Sequence, residues 1–268
     1  MKLQKFILAA ALGICSISAF ADWQPYVGAG LGLTSSSFNT NIPNPALLSQ
    51  AGPNSNGGWI DSNPNNYNFL AQATTVTPEI HLGIANQYNK FYLGFEGSVQ
   101  YNNNWATSNT VNDVVTTVTN PTAVFNSKVV SSLQWNTSLT TQLGYFVTPD
   151  VMPYAKIGIT AAQGDVSESI NSEAIPQVAP VGGIAASTHA SPWMFGPTIS
   201  LGVQYTITQH LRGFAQGNYT YLWGNASPQL SYNNTVMQQW IANPIATAPR
   251  QNYTYSAWTF EIGTNYYF

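Results

Sequence analysis

The last eleven residues, Trp258-Thr-Phe260-Glu-Ile262-Gly-Thr264-Asn-Tyr266-Tyr-Phe268, alternate in character without a break. Trp258, Phe260, Ile262, Thr264, Tyr266 and Phe268 form one set; Thr259, Glu261, Gly263, Asn265 and Tyr267 form the other. A β-strand points successive side chains to opposite faces. One face is therefore almost wholly apolar with aromatics at both ends, and the other is polar or small. About ten such residues cross a bilayer when the strand is tilted. Lipid offers no hydrogen bonds to an unpaired strand, so a spanning strand demands a closed barrel. The rest of the chain must supply the other staves.

The N-terminus is consistent with export. Met1-Lys2-Leu3-Gln4-Lys5 is basic, Phe6 to Ile17 is an apolar run, and Ala19-Phe20-Ala21 is an A-x-A cleavage site. Residues 1–21 read as a Sec-type secretory signal, too short for a membrane helix. The mature domain then spans 22–268. Cys15 is the one cysteine of the chain and falls inside the signal. Ile14 before it, rather than a small residue, argues against lipidation. Disulfides and Cys-based metal or catalytic sites are thereby excluded from the mature chain.

Charged residues make up 6 % of the chain, against about a quarter in an ordinary soluble domain. Aromatics reach 13 %, which a disordered chain would lack. Of the 7 Lys and Arg, Lys2 and Lys5 leave with the signal, so five face the 10 Asp and Glu. That balance argues against nucleic acid as the main partner.

Seven further stretches show the same two-residue period. Strand one, Trp23 to Ser37, sets Val27, Ala29, Leu31 and Leu33 against Tyr26, Gly28, Gly30, Gly32 and Thr34. Strand two sets Val76, Pro78, Ile80 and Leu82 against Glu79 and His81, and Pro78 predicts a bulge there. Strand three sets Phe91, Leu93, Phe95 and Val99 against Glu96 and Gln100; strand four sets Leu133, Trp135, Leu139 and Leu143 against Gln134, Asn136 and Gln142. Strand five carries Lys156 between Ala155 and Ile157, strand six runs from Trp193 to Tyr205, and strand seven carries Arg212 and Gln216 on its polar face. The phase is expected to hold throughout each strand. Long connections are expected at 38–73, 103–127, 166–188 and 224–252, and short turns near 86–90, 147–150 and 208–210. Prolines and glycines at Pro176, Pro180, Gly182 and Gly183 break the run, so no helix is expected in the third long loop. The fold expected is all-β: an eight-stranded antiparallel transmembrane β-barrel with four long extracellular loops and three short periplasmic turns.

Pro25-Tyr-Val-Gly-Ala-Gly-Leu-Gly, Phe95-Glu-Gly, Pro153-Tyr-Ala-Lys-Ile-Gly, Leu211-Arg-Gly-Phe-Ala and Phe260-Glu-Ile-Gly-Thr-Asn-Tyr-Tyr-Phe resemble the OmpA/opacity-type small bacterial outer-membrane β-barrel proteins. The resemblance spans the mature chain, apart from the loops. It implies a Gram-negative outer-membrane location, contact with outer-membrane lipid and lipopolysaccharide, and an assembly signal in Phe260, Ile262, Tyr266 and Phe268 for the barrel-assembly machinery. It further implies a surface, adhesive or host-contact role, and in some members a narrow pore. The cell-wall tether of the larger members, a peptidoglycan-binding domain after the barrel, is not expected.

Gly28-Ala-Gly-Leu-Gly lacks the spacing and following helix of a dinucleotide loop and reads as room inside a narrow barrel. Trp23, Phe91, Tyr145, Tyr205, Tyr266 and Phe268 form a turn-side aromatic row; Tyr101, Trp135, Trp193, Tyr221, Trp223 and Trp258 form a loop-side row, as interfacial girdles do. Trp59, Trp105 and Trp240 are loop aromatics that could serve as a sugar platform. An enzyme would need a nucleophile and base at the outer rim. His189 there is flanked by Ser187 and Ser191, His81 is mid-strand and His210 is in a turn. The sequence fixes no orienting acid for His189, so no catalytic residue is assigned.

The alternation turns Glu79, His81, Glu96, Lys156, Arg212 and Glu261 into the lumen. An eight-stranded barrel has room only for side chains, and a buried charge must be paired. Lys156 and Arg212 are each expected to bridge one of Glu79, Glu96 and Glu261, with Gln142, Gln204 and Gln216 completing the bonds. The chain reads as a non-enzymatic surface barrel with a plugged lumen, no metal or cofactor, and loops that meet a host or phage ligand. A narrow porin-like pore is the alternative, followed by an outer-membrane lipid hydrolase.

Overall fold

A computed structural model describes residues 23–42, 59–60, 67–108, 111–117, 122–172, 185–227, 229–232 and 251–268. The expected signal segment, with Ala19 and Ala21, lies outside them. The described strands are β1 (Gln24–Ile42), β2 (Trp59–Ile60), β3 (Tyr67–Tyr88), β4 (Phe91–Ser108), β5 (Val111–Thr117), β6 (Thr122–Tyr145), β7 (Val151–Ser172), β8 (Ala185–Ala190), β9 (Trp193–Thr206), β10 (Leu211–Ala226), β11 (Gln229–Tyr232) and β12 (Gln251–Tyr267). Among the described residues, no helix is long and apolar enough to cross a membrane.

Eight long strands close on themselves, in the order β1, β3, β4, β6, β7, β9, β10, β12 and back to β1. Every neighbouring pair is antiparallel. The closure uses up both edges of the sheet, which is what lipid requires. The four short strands β2, β5, β8 and β11 extend the sheet beyond the barrel at its loop end.

The outer surface carries the apolar residues. Leu31, Ile80, Leu139, Ile157, Ile159, Leu201, Phe260 and Ile262 are all exposed. Both aromatic rows sit on this face, and the register builds them. Phe91 pairs with Tyr145 at the turn end, their rings 5.3 Å apart. At the loop end Tyr101 pairs with Trp135 and Tyr219 with Trp258, each pair of rings 4.6 Å apart.

The turns are as short as expected. Tyr88 and Phe91 bracket Asn89-Lys90, and Asn89 takes φ 54°, a left-handed conformation that asparagine tolerates. The other two turns span 146–150 and 207–210.

Three expectations are corrected. The strands run well past the predicted loop boundaries: β1 continues to Ile42, β7 to Ser172, and β6 begins at Thr122. β6 has 24 residues, which at about 3.3 Å each and a tilt near 40° rise roughly 60 Å, against an apolar band of about 25 Å. Polar sequence there conceals strands because water, not lipid, bathes their outer face. Second, the phase does slip in β6. Leu133 pairs with Gly164 but Trp135 pairs with Gln163, a bulge at Gln134 that turns Leu133 inward. Third, Pro78 makes no bulge: its register opposite Leu31 is unbroken. Instead the β3–β4 pairing is interrupted between Gln72 and Glu79, a gap that contains Pro78, and the bulge falls across the gap in β4, between Tyr101 and Asn104.

Candidate functional site

The inward side chains stack in three layers. At the loop end, Phe38, Ala106, Val129, Leu133, Met194, Leu222, Tyr253 and Tyr255 belong to one apolar cluster. At the turn end, Tyr26, Tyr92, Phe146, Met152, Tyr154 and Tyr267 belong to a second. A polar layer lies between them.

The polar layer holds five of the six charged or titratable lumen residues picked from the sequence. Glu79, His81, Glu96, Lys156 and Glu261 are all at most 8 % exposed. Lys156 Nζ donates to Glu96 Oε1 at 2.7 Å, and Tyr26 Oη donates to Glu96 Oε2 at 2.9 Å. Glu261 Oε2 accepts from Gln216 Nε2 at 2.8 Å and from Asn218 Nδ2 at 3.0 Å. Tyr154 Oη in turn donates to Gln216 Oε1 at 2.9 Å. His81 Nε2 lies 2.6 Å from Asn265 Oδ1, and His81 Nδ1 lies 3.3 Å from Glu79 Oε1. Towards the loops, Thr34 bonds both Thr77 and Thr259, and Asn136 donates to Gln100, which donates to Thr77. A polar cavity of about 30 Å³ borders Glu79, Glu96, Lys156 and Gln216, room for one or two waters.

Arg212 departs from expectation. It bridges none of the three glutamates. Its guanidinium carbon lies 4.3 Å from the centre of the Tyr267 ring, 5.4 Å from that of Phe146 and 5.9 Å from that of Tyr92. Near the turn-end start of β10 it is opposite Asn265 and Thr206, away from the carboxylates, so its charge is held by ring faces instead. Gln204 likewise donates to Tyr267 Oη at 3.2 Å rather than to a carboxylate. The aromatic layer was missed because Tyr92, Phe146, Tyr154 and Tyr267 interrupt a lumen set that otherwise reads as polar.

The terminal strand is fastened at its end. Tyr267 N donates to His210 O at 2.7 Å and Phe268 N to Pro25 O at 3.1 Å. Phe260, Ile262, Tyr266 and Phe268 all point outward.

At the outer rim, register brings together residues that sequence could not join. Ser167 of β7 pairs with His189 of β8. Asp165 Oδ1 and Ser167 Oγ each lie 3.3 Å from His189 Nδ1, while Ser191 Oγ lies 3.4 Å from Nε2. Asp165 is thus an acid beside the histidine, which the sequence did not assign. Both side chains are about half exposed, 55 % for His189 and 40 % for Asp165, so water competes for each contact. The side chains of Ser187, Trp59 and Trp105, and all of Trp240, lie outside the described set.

No curated protein matches the chain. Among solved structures, the chain is similar to Neisserial surface protein A, at 13 % identity and a TM-score of 0.37, covering 91 % of this chain and 97 % of that one. It is also similar to Ail, the attachment invasion locus protein of Yersinia pestis, at 10 % identity and a TM-score of 0.34, covering 91 % and 99 %. The family model described as outer membrane protein beta-barrel domain matches residues 7–268. With that match over nearly its whole length, and a closed eight-stranded barrel with an apolar outer face, the chain belongs to the outer membrane protein beta-barrel domain family and sits in the Gram-negative outer membrane.

Proposed function

We propose that the protein is a non-enzymatic surface barrel with a plugged lumen, whose long outer loops contact a host cell, a phage or another extracellular partner. The layered lumen carries this reading. Two apolar clusters close its ends, and the polar layer between them is threaded by hydrogen bonds and the Lys156–Glu96 pair. A pore needs a continuous wet path, and side chains occupy this one. The strands that rise past the apolar belt hold the loops clear of the lipid. Lipid and lipopolysaccharide meet the apolar belt, the barrel-assembly machinery reads the terminal strand, and residues 1–21 leave after export.

Planar-bilayer recording tests the plug: the unmodified protein should give no steady current, and large steady single-channel currents would establish the narrow pore instead. Deleting each long loop in turn, followed by adhesion and phage-binding assays on intact cells, tests the contact role. At least one deletion should abolish binding while the barrel still reaches the outer membrane. Undiminished binding by all four deletion strains would overturn that role.

A further inference from the structure

We propose that Glu79, His81 and Glu261 bind one divalent transition-metal ion inside the barrel. Glu79 and His81 lie two residues apart on β3, and Glu261 lies on β12; both strands flank β1. Gly28 is opposite His81, Gly30 opposite Glu79, and Gly32 opposite Glu261. The bare backbone of β1 therefore forms a floor over which side chains from both neighbours meet. The space is used closely. A Cβ at Gly28 would overlap His81 Nε2 and Asn265 Oδ1, and a Cβ at Gly30 would overlap Glu261 Oε1. One ligand atom from each of the three residues lies within 4.8 Å of the others. A tetrahedral ion with bonds near 2.1 Å sets its ligands roughly 3.4 Å apart. The 3.3 Å between Glu79 Oε1 and His81 Nδ1 already meets that spacing.

Two atoms point to a cation. Glu261 Oε1 is buried and accepts no hydrogen bond among the described residues, and His81 Nδ1 makes none either. Asn265 Oδ1, 2.6 Å from His81 Nε2, accepts that nitrogen's proton. With the imidazole neutral, Nδ1 presents its lone pair to a carboxylate oxygen. Two acceptors facing each other repel unless a positive charge lies between them. Metal-bound histidines commonly have this arrangement, the second nitrogen donating to a fixed oxygen that sets the tautomer. Charge leads to the same ion. Lys156 pairs with Glu96 and Arg212 with aromatic rings, so neither Glu79 nor Glu261 has a Lys or Arg partner among the described residues. A divalent ion neutralises those two carboxylates. One imidazole and two carboxylates suit zinc, manganese or cobalt in preference to copper(I), which prefers sulfur.

The test uses untagged mature protein refolded in detergent with Co²⁺ or Zn²⁺ present, so that slow entry into the lumen cannot mask binding. After gel filtration, atomic spectroscopy should count one ion per chain, and bound Co²⁺ should show visible absorption that Zn²⁺ abolishes. Glu261→Gln and Glu79→Gln, each confirmed as folded by heat-modifiable migration, should bind at least about 100-fold more weakly, beyond the 10–100-fold effect typical of outer-shell partners. His189→Ala and His210→Ala should bind like wild type. Absence of retained metal, undiminished binding by both glutamine variants, or loss confined to the His189 variant would overturn the site. The first of these results would leave His81 as a protonated partner of Glu79.

Discussion

Lys156 Nζ lies 2.7 Å from Glu96 Oε1 across the lumen, from β7 to β4, and both side chains are at most 5 % exposed. The two strands are not neighbours, since β6 separates them. The pair therefore cross-braces the barrel where no backbone hydrogen bond can. Tyr26 from β1 holds the second carboxylate oxygen, tying a third strand to the brace.

Removing one member of such a pair strands the other charge. Lys156→Met should lower unfolding stability by about 3–5 kcal/mol. The double variant Lys156→Met with Glu96→Gln should recover much of that loss, because no bare charge remains. Urea unfolding of refolded protein in micelles reads both. Equal losses in the single and double variants would mean that packing, not charge, sets the cost.

Arg212 calls for a different test. Its contacts are the faces of Tyr267, Phe146 and Tyr92. Arg212→Ala should cost about 1–2 kcal/mol through lost cation–π contact and packing. In double-mutant cycles it should couple to Tyr267→Leu and not to Glu261→Gln. Coupling to the glutamate instead would restore an ion pair across the lumen.

The contrast between these two cations shows what sequence could reveal. Both fall on the inward phase, and the alternation places them there unaided. Which partner each finds depends on how far up the barrel it sits, and that depends on register between strands. The Gln134 bulge was hidden for a related reason. Leu133 and Trp135 look like one continuous apolar set, and the irregularity shows only in the pairing with the neighbouring strands. Asp165 and His189 are 24 positions apart in the sequence and meet only because β8 folds back on β7. The strand extensions above the membrane stayed unread because there the apolar residues, such as Phe38 and Val166, face inward and water bathes the outer face, so the lipid-facing hydrophobic phase is lost.

Topology yields a third prediction. The turn at 146–150 is periplasmic, whereas the connection between β7 and β9 lies outside. Protease added to intact cells should cut in the connection between β7 and β9 and leave 146–150 whole. Cleavage at the short turn in sealed cells would invert the orientation.

Phe268 separates assembly from stability. Its side chain is 68 % exposed and meets Tyr266 edge-on at 5.3 Å, so it buries little against the barrel. Its backbone N–H closes the ladder onto Pro25. Phe268→Asp keeps that N–H while changing what an assembly receptor would read. In cells, the variant should reach the outer membrane poorly and be degraded in the periplasm. Refolded from urea into micelles, it should show wild-type heat-modifiable migration, since a charge on the lipid face near the interface costs only about 0–1 kcal/mol, and an acidic one less. Poor refolding in micelles would make Phe268 a fold determinant. Normal insertion in cells would remove it from the assembly signal.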